Sequence, residues 1–210
     1  DIVCPWCIIG YKQVEKALDL VGDDISAEIV WQPFELNPNM PPEGQDIAEH
    51  VAQKYGATPE SSAKTRSHMA ALGESLGFTF NNAPDKRIYN TFQGHILLHW
   101  ALEQGGAEAQ MALKMALFTA YFQDNQDVSD EDILLAAVAK AGLDREDART
   151  VLNDPDYAQN VRGALNAWIE RGVSGVPATI IDGKYMVPGA QDAETFAQMF
   201  QKVRDKALAG

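Results

Sequence analysis

A chain of 210 residues, 46% hydrophobic and 22% charged, is long and apolar enough to bury a full core without disulfide or metal support. Its net charge of -13 opposes a phosphate backbone, and no cluster of Lys or Arg offsets it, which argues against nucleic acid as a partner. No run of about 18 apolar residues occurs, so the sequence argues against a membrane-spanning helix and a membrane partner.

Both cysteines fall in the opening Asp1-Ile2-Val3-Cys4-Pro5-Trp6-Cys7. C-x-x-C spacing places the sulfurs one turn apart where a helix begins, so one can attack a disulfide and the other resolve the product. Half of a zinc site is the rival reading, but no second C-x-x-C accompanies it. Two thiols with no wider disulfide framework suit a reducing compartment, and the expected location is the cytoplasm.

After the cysteines, Val14, Ala17, Leu18 and Val21 recur at i, i+3, i+4, i+7, which predicts an amphipathic helix ended by Gly22. Residues 27–32 (AEIVWQ) predict a strand closed by Pro33, and the proline-rich residues 34–42 a loop leaving the sheet. From 46 to about 171 the pattern predicts five or six helices. Thr58-Pro59-Glu60 marks one start, Ser129 to Asp132 resembles a capping box before a helix ended by Gly142, and Asp154-Pro155 opens a helix stopped by Gly172. Residues 78–82 predict a loop or short extended piece. Residues 178–181 and 184–187 flank Asp182-Gly183, a type I′ hairpin signal, and a last helix capped near Asp192 carries Ala193, Phe196, Ala197, Phe200 and Val203 on one face. This order predicts an α/β chain: a thioredoxin-like fold with a large all-α insertion, its core formed by residues 1–45 and 154–210 and its insertion by 46–153.

His95 and His99 stand at metal-ligand spacing on a helix predicted from about Ile88 to Gln104. The intervening Ile96-Leu97-Leu98 lacks the glutamate of H-E-x-x-H, so the pair reads as packed or capping rather than metal-binding. His50 and His68 read as surface residues. Phe92, Trp100, Met111, Met115 and Phe118 recur at helical spacing and read as core.

Several stretches carry a family likeness from end to end: DIVCPWCIIG at the start, then Trp31-Gln32-Pro33-Phe34-Glu35-Leu36-Asn37-Pro38, Asn90-Thr91 with His95, Ala120-Tyr121-Phe122, Gly175-Val176-Pro177 and Gly189-Ala190-Gln191. The chain resembles the DsbA-like branch of the thioredoxin superfamily, within it the FrnE-type oxidoreductases related to 2-hydroxychromene-2-carboxylate isomerases and kappa-class glutathione transferases. The resemblance implies a thiol-disulfide oxidoreductase for peptide or small-molecule disulfides, with Cys4 as the exposed nucleophile, Cys7 as resolver and Pro177 as a cis-proline opposite them. Val176 would present its backbone to an extended substrate. Pro5, Trp6, Phe34, Asn37 and His95 are the further candidate substrate-facing residues. It also implies glutathione as a co-substrate, no tightly bound cofactor, and a monomer or homodimer. The alternative is a glutathione-dependent isomerase or transferase. Those relatives place a serine at the position of Cys4, so retention of both thiols favours redox use. The family has a strand just before the position of Asp1, and the expectation is that residues precede the sequence shown.

The helix start lowers the pKa of Cys4, whereas Pro5-Trp6 carries no positive charge and Asp1 opposes ionisation. The expectation is a moderately acidic Cys4, near the thioredoxin value of about 7.

Overall fold

The computed structural model describes residues 1–83 and 85–209. Eight α-helices dominate these residues: α1 Pro5–Val21, α2 Ile47–Tyr55, α3 Pro59–Ser75, α4 Phe92–Phe118, α5 Glu131–Lys140, α6 Arg145–Leu152, α7 Pro155–Glu170 and α8 Ala193–Ala209. Two short antiparallel ladders join them, one pairing β1 Gln45–Asp46 with β2 Arg87–Ile88, the other β3 Ala178–Ile181 with β4 Tyr185–Pro188.

Helix boundaries follow local chemistry. Pro5 and Pro59 occupy first turns, where a missing N–H breaks no helical bond. Thr58 and Ser61 form a reciprocal capping box. Asp154 caps α7 through the N–H groups of Asp156 and Tyr157. The start of α5 differs from expectation: Asp130 accepts from Asp132 and Ile133, while Ser129 bonds Asp127 instead. Asp192 Oδ1 accepts from Thr195 N–H at 2.7 Å and begins α8.

The helix predicted over 88–104 begins at Phe92, because Arg87 and Ile88 belong to β2. It also continues to Phe118 past a kink, where Gly105 has φ -147 and ψ 24 and Gly106 has φ 68. Residues 119–123 then form a π turn. Lys86 Nζ donates to the Tyr121 carbonyl at 2.8 Å, and Tyr121 hydroxyl donates to Arg87 O at 2.9 Å, so the turn is fastened to β2.

The closing hairpin forms as predicted. Lys184 N–H donates to Ile181 O, and Asp182 and Gly183 both have positive φ, as a type I′ turn requires. The predicted strand at 27–32 does not form among the described residues. Its composition suits a sheet, but no neighbouring strand pairs with it. The buried Gln110 of α4 meets it instead: Trp31 N–H donates to Gln110 Oε1 at 2.7 Å and Gln110 Nε2 donates to Trp31 O at 2.9 Å. One side-chain amide thus supplies both bonds that a strand neighbour would.

The principal core gathers Ile2, Ile8, Leu97, Leu113, Leu117, Phe118, Leu134, Leu135 and Val161 around the start of α1. A second core joins Val14, Ala17 and Val21 of α1 to Val187 and to Phe196 and Phe200 of α8. Helix α1 is shared by both: its start, with the cysteines, lies in the principal core, and its later turns pack against α8. Phe92, Met111 and Met115 are half-buried and Trp100 and Phe118 buried, in agreement with their core reading. No helix among the described residues is long and apolar enough to cross a membrane.

Candidate active site

Cys4 is the N-cap of α1 and Cys7 lies in its first turn, with Cys7 N–H donating to Cys4 O at 3.0 Å. The peptide bond between Val176 and Pro177 is cis, and Cys4 Sγ points at the Val176 carbonyl, 3.8 Å away. Gly10 permits this approach: a Cβ there would stand 3.2 Å from Pro177 Cγ. The three elements expected to meet at the site do meet: the helix start, Val176 and Pro177.

Access differs from expectation. Cys4 is only 4% exposed and Cys7 only 3%, so the first sulfur is not the open one. Val176 covers Cys4 on one side, and Lys54 and Tyr55 at the end of α2 lie within its electrostatic reach. Asn37 helps hold that end, since Lys54 Nζ donates to Asn37 Oδ1 at 2.6 Å and to Leu36 O at 2.8 Å. Pro5 and Trp6 are half-buried, and the Trp6 ring lies 6.2 Å from exposed His68 of α3. His50 is buried rather than on the surface, with Nδ1 2.7 Å from Gln45 Oε1.

Electrostatics at the sulfurs also departs from the local reading. The hydrogen bond with Cys7, burial and the charge of Cys7 hold the Cys4 thiol well above its ordinary value. At Cys7 burial opposes ionisation, but the hydrogen bond from Cys4 and the Lys114 ammonium act against it, and the thiol is brought down to about 6. Two groups so close titrate as a pair. One proton leaves the pair readily and the second is retained. The Asp1 carboxylate, expected to oppose ionisation, is engaged elsewhere: Oδ2 accepts from Leu36 N–H at 2.8 Å and Oδ1 lies 3.6 Å from His95 Nε2.

Lys114 is the cation that sequence reading missed. It is 1% exposed, its Nζ lies 4.6 Å from the Trp31 ring centroid and 4.8 Å from that of Phe118, and it forms no ion pair with a carboxylate among the described residues. Burial lowers its pKa to about 8, and the two cysteines pull it back up. A buried ammonium needs an anion, and the single thiolate of the cysteine pair is the charge that acts on it. The missed signal was spacing: Gln110, Lys114, Leu117 and Phe118 recur at helical intervals, which puts a lysine on a buried stripe.

A second buried polar group adjoins the first. His95, 1% exposed, has Nε2 3.6 Å from Asp1 Oδ1. Glu35 Oε2 accepts from Arg162 Nη1 of α7, whose guanidinium lies 3.5 Å from the Phe92 ring centroid. Burial, above all, and the Lys114 ammonium hold His95 well below the ordinary histidine value. Burial raises Glu35 although Arg162 opposes it. Phe34 is half-buried beside this group and its carbonyl faces His95.

The model of the DSBA-like thioredoxin domain matches residues 1–201. The chain belongs to the DSBA-like thioredoxin domain family. A Streptomyces coelicolor structure described as a probable DsbA oxidoreductase is 34% identical, with TM-score 0.88 over 96% of this chain and 86% of that one. A structure of a 2-hydroxychromene-2-carboxylate isomerase, 16% identical, has TM-score 0.72 and covers 100% of this chain and 96% of its own, a likeness of fold. The Bacillus subtilis (strain 168) protein YwbO is 28% identical over 98% of this chain and 95% of its own length.

Proposed function

We propose that this DSBA-like chain is a thiol-disulfide oxidoreductase whose Cys4-Cys7 pair exchanges electrons with peptide or small-molecule disulfides. The observation that carries the reading is the pair itself: two sulfurs at one helix start, sharing a readily lost proton, with Cys4 facing the Val176 carbonyl. In the oxidising direction a substrate thiolate attacks the Cys4–Cys7 disulfide at Cys4, and Cys7 leaves as a thiolate. A second substrate thiolate then breaks the mixed disulfide, and Cys4 and Cys7 end reduced while the substrate ends oxidised. Glutathione is the small-molecule co-substrate that suits this chemistry, and no tightly bound cofactor is required.

Cys4 is the attacked sulfur because it faces Val176, where an extended substrate can add its backbone. Since Cys4 is 4% exposed, productive encounter requires local opening. The α2–α3 segment is the part suited to it, because His50 and Gly73 are its buried residues and little apolar surface holds it down. The test is oxidation of a dithiol peptide by the wild type and by Cys7→Ser. Turnover by the wild type and its loss in the variant are expected. Glutathione-dependent isomerisation surviving in Cys7→Ser, with no redox turnover in the wild type, would overturn the reading in favour of the isomerase alternative.

A further inference from the structure

Exchange needs a substrate sulfur at Cys4 Sγ, yet Cys4 is only 4% exposed, so part of the fold must move aside. The α2–α3 pair is anchored at its two bases. Before α2, the β1–β2 ladder pairs Gln45 with Ile88 and Asp46 with Arg87, Ile47 N–H donates to Lys86 O at 3.0 Å, and Arg87 Nε and Nη2 donate to the carbonyls of Glu43 and Gly44, each at 3.0 Å. At the end of α3, Gly73 packs so closely that a Cβ there would collide with the Phe80 ring, and Phe78 N–H donates to Gly73 O at 2.8 Å. Between these bases the chain turns at Gly56, whose φ of 65 ends α2. The pair faces the active site: Lys54 and Tyr55 lie within electrostatic reach of Cys4, and the His68 ring of α3 lies 6.2 Å from that of Trp6. Two anchored bases and a lightly packed tip beside a buried sulfur make a lid.

One side chain fastens the tip. Lys54 Nζ donates to Leu36 O at 2.8 Å and to Asn37 Oδ1 at 2.6 Å. Among the described residues no other hydrogen bond or ion pair crosses from the lid to the rest of the fold between the two bases. The remaining polar contacts of α2, such as His50 with Gln45 and Gln53 with Glu49, stay within the lid and its base. The receiving loop is itself fixed: Leu36 packs on the principal core, its N–H donates to Asp1 Oδ2 at 2.8 Å, and Glu35 pairs with Arg162 of α7. A solvent-exposed ammonium thus ties a lightly packed tip to a braced loop.

We propose that Lys54 is the latch of a lid formed by α2 and α3, and that release of its bonds to Leu36 and Asn37 opens Cys4 to substrate. The inference deepens the redox reading of the Cys4-Cys7 pair and rests on it: the latch governs how often a substrate sulfur reaches the attacked one. Because α2 and α3 bury only His50 and Gly73, their release is a local event that leaves both hydrophobic cores in place. A weaker latch speeds exchange in both directions alike and leaves the equilibrium between oxidised and reduced pair unchanged. The rival role for an ammonium near a thiol is to stabilise its thiolate, and the two roles have opposite signs. Loss of a stabilising charge slows reaction at Cys4, since the thiolate is the nucleophile, whereas loss of a latch speeds it.

The test is made in Cys7→Ser, where Cys4 is the single thiol, by timing its labelling with iodoacetamide at fixed pH. Lys54→Met keeps the chain length and removes the donors, and is expected to label about three- to tenfold faster, the net worth of roughly one hydrogen bond. Asn37→Ala removes one acceptor and no charge and should speed labelling less. The double variant should match Lys54→Met, because both substitutions break the same contact. Amide hydrogen exchange in Lys54→Met should quicken over residues 47–75 and stay unchanged in α1, α4 and α8. Labelling of Lys54→Met at the parent rate or slower would overturn the latch. So would exchange that rises evenly across the protein, which marks general destabilisation. Oxidation of a dithiol peptide by the wild type is measured alongside: its absence would sink the redox reading, while the labelling rates would still decide whether Lys54 holds the lid.

Discussion

Lys114→Met replaces the buried cation with an apolar chain of similar length in the same aromatic cage of Trp31 and Phe118. The Cys7 thiol is brought down to about 6 because the hydrogen bond from Cys4 and the Lys114 ammonium act against burial. One nearby opposite charge typically moves a pKa by about 1–3 units, and with the hydrogen bond from Cys4 intact the lower limit applies. The first thiol pKa of the pair should therefore rise by about one unit. At neutral pH that removes about 1 kcal/mol of thiolate stabilisation, which makes the disulfide less oxidising by roughly 20 mV on a scale of about 30 mV per 1.4 kcal/mol. Stability should hold or rise, because an ammonium without a carboxylate partner is exchanged for an apolar group that fits. The assays are thiolate ultraviolet absorbance against pH and equilibration with glutathione. An unchanged thiol pKa, or a disulfide made more oxidising, would refute the assignment of Lys114 as the charge that poises the sulfurs.

Reduced protein should show a pH dependence of stability that the disulfide form lacks. Between about 6 and the ordinary thiol range the unfolded chain still holds both protons while the native pair has released one, so stability rises with pH. Above that range the unfolded chain has lost both and Cys4 retains its own, so stability falls. Urea unfolding of both redox forms across pH measures this, and parallel profiles would contradict the paired titration. Gln110→Leu strands the N–H and C=O of Trp31 and should destabilise by about 2–4 kcal/mol, read by the urea midpoint. A loss under about 1 kcal/mol would show that the amide does not substitute for a strand neighbour.

Features encoded by adjacent residues were legible in the sequence: the cysteine spacing, the proline and acid helix starts, and the Asp-Gly turn, where Asp182 and Gly183 both take positive φ. Features that depend on a distant partner were not. The composition of 27–32 describes what fits a sheet, and whether a neighbour lies alongside is a tertiary matter, here settled by Gln110. The acidity of the sulfurs looked like a property of Pro5-Trp6, yet the charge that acts comes from Lys114 across the core. The burial of Cys4 is hidden from the sequence for the same reason, since Val176 and the end of α2 reach it only in the fold. The Glu35–Arg162 pair joins residues 127 positions apart, a separation at which no local pattern speaks.

The central claim is that Cys4 and Cys7 form one two-electron redox pair. Equilibration in glutathione buffers of graded potential, with the Cys4–Cys7 disulfide counted by mass after alkylation, tests it most directly. The account predicts a single two-electron transition. A first thiol near 6 lies between the thioredoxin value of about 7 and the DsbA value of about 3.5. The midpoint is expected toward the thioredoxin end of the range from about -270 to -120 mV. Failure of any internal disulfide to form, or a midpoint at the DsbA end, would contradict it.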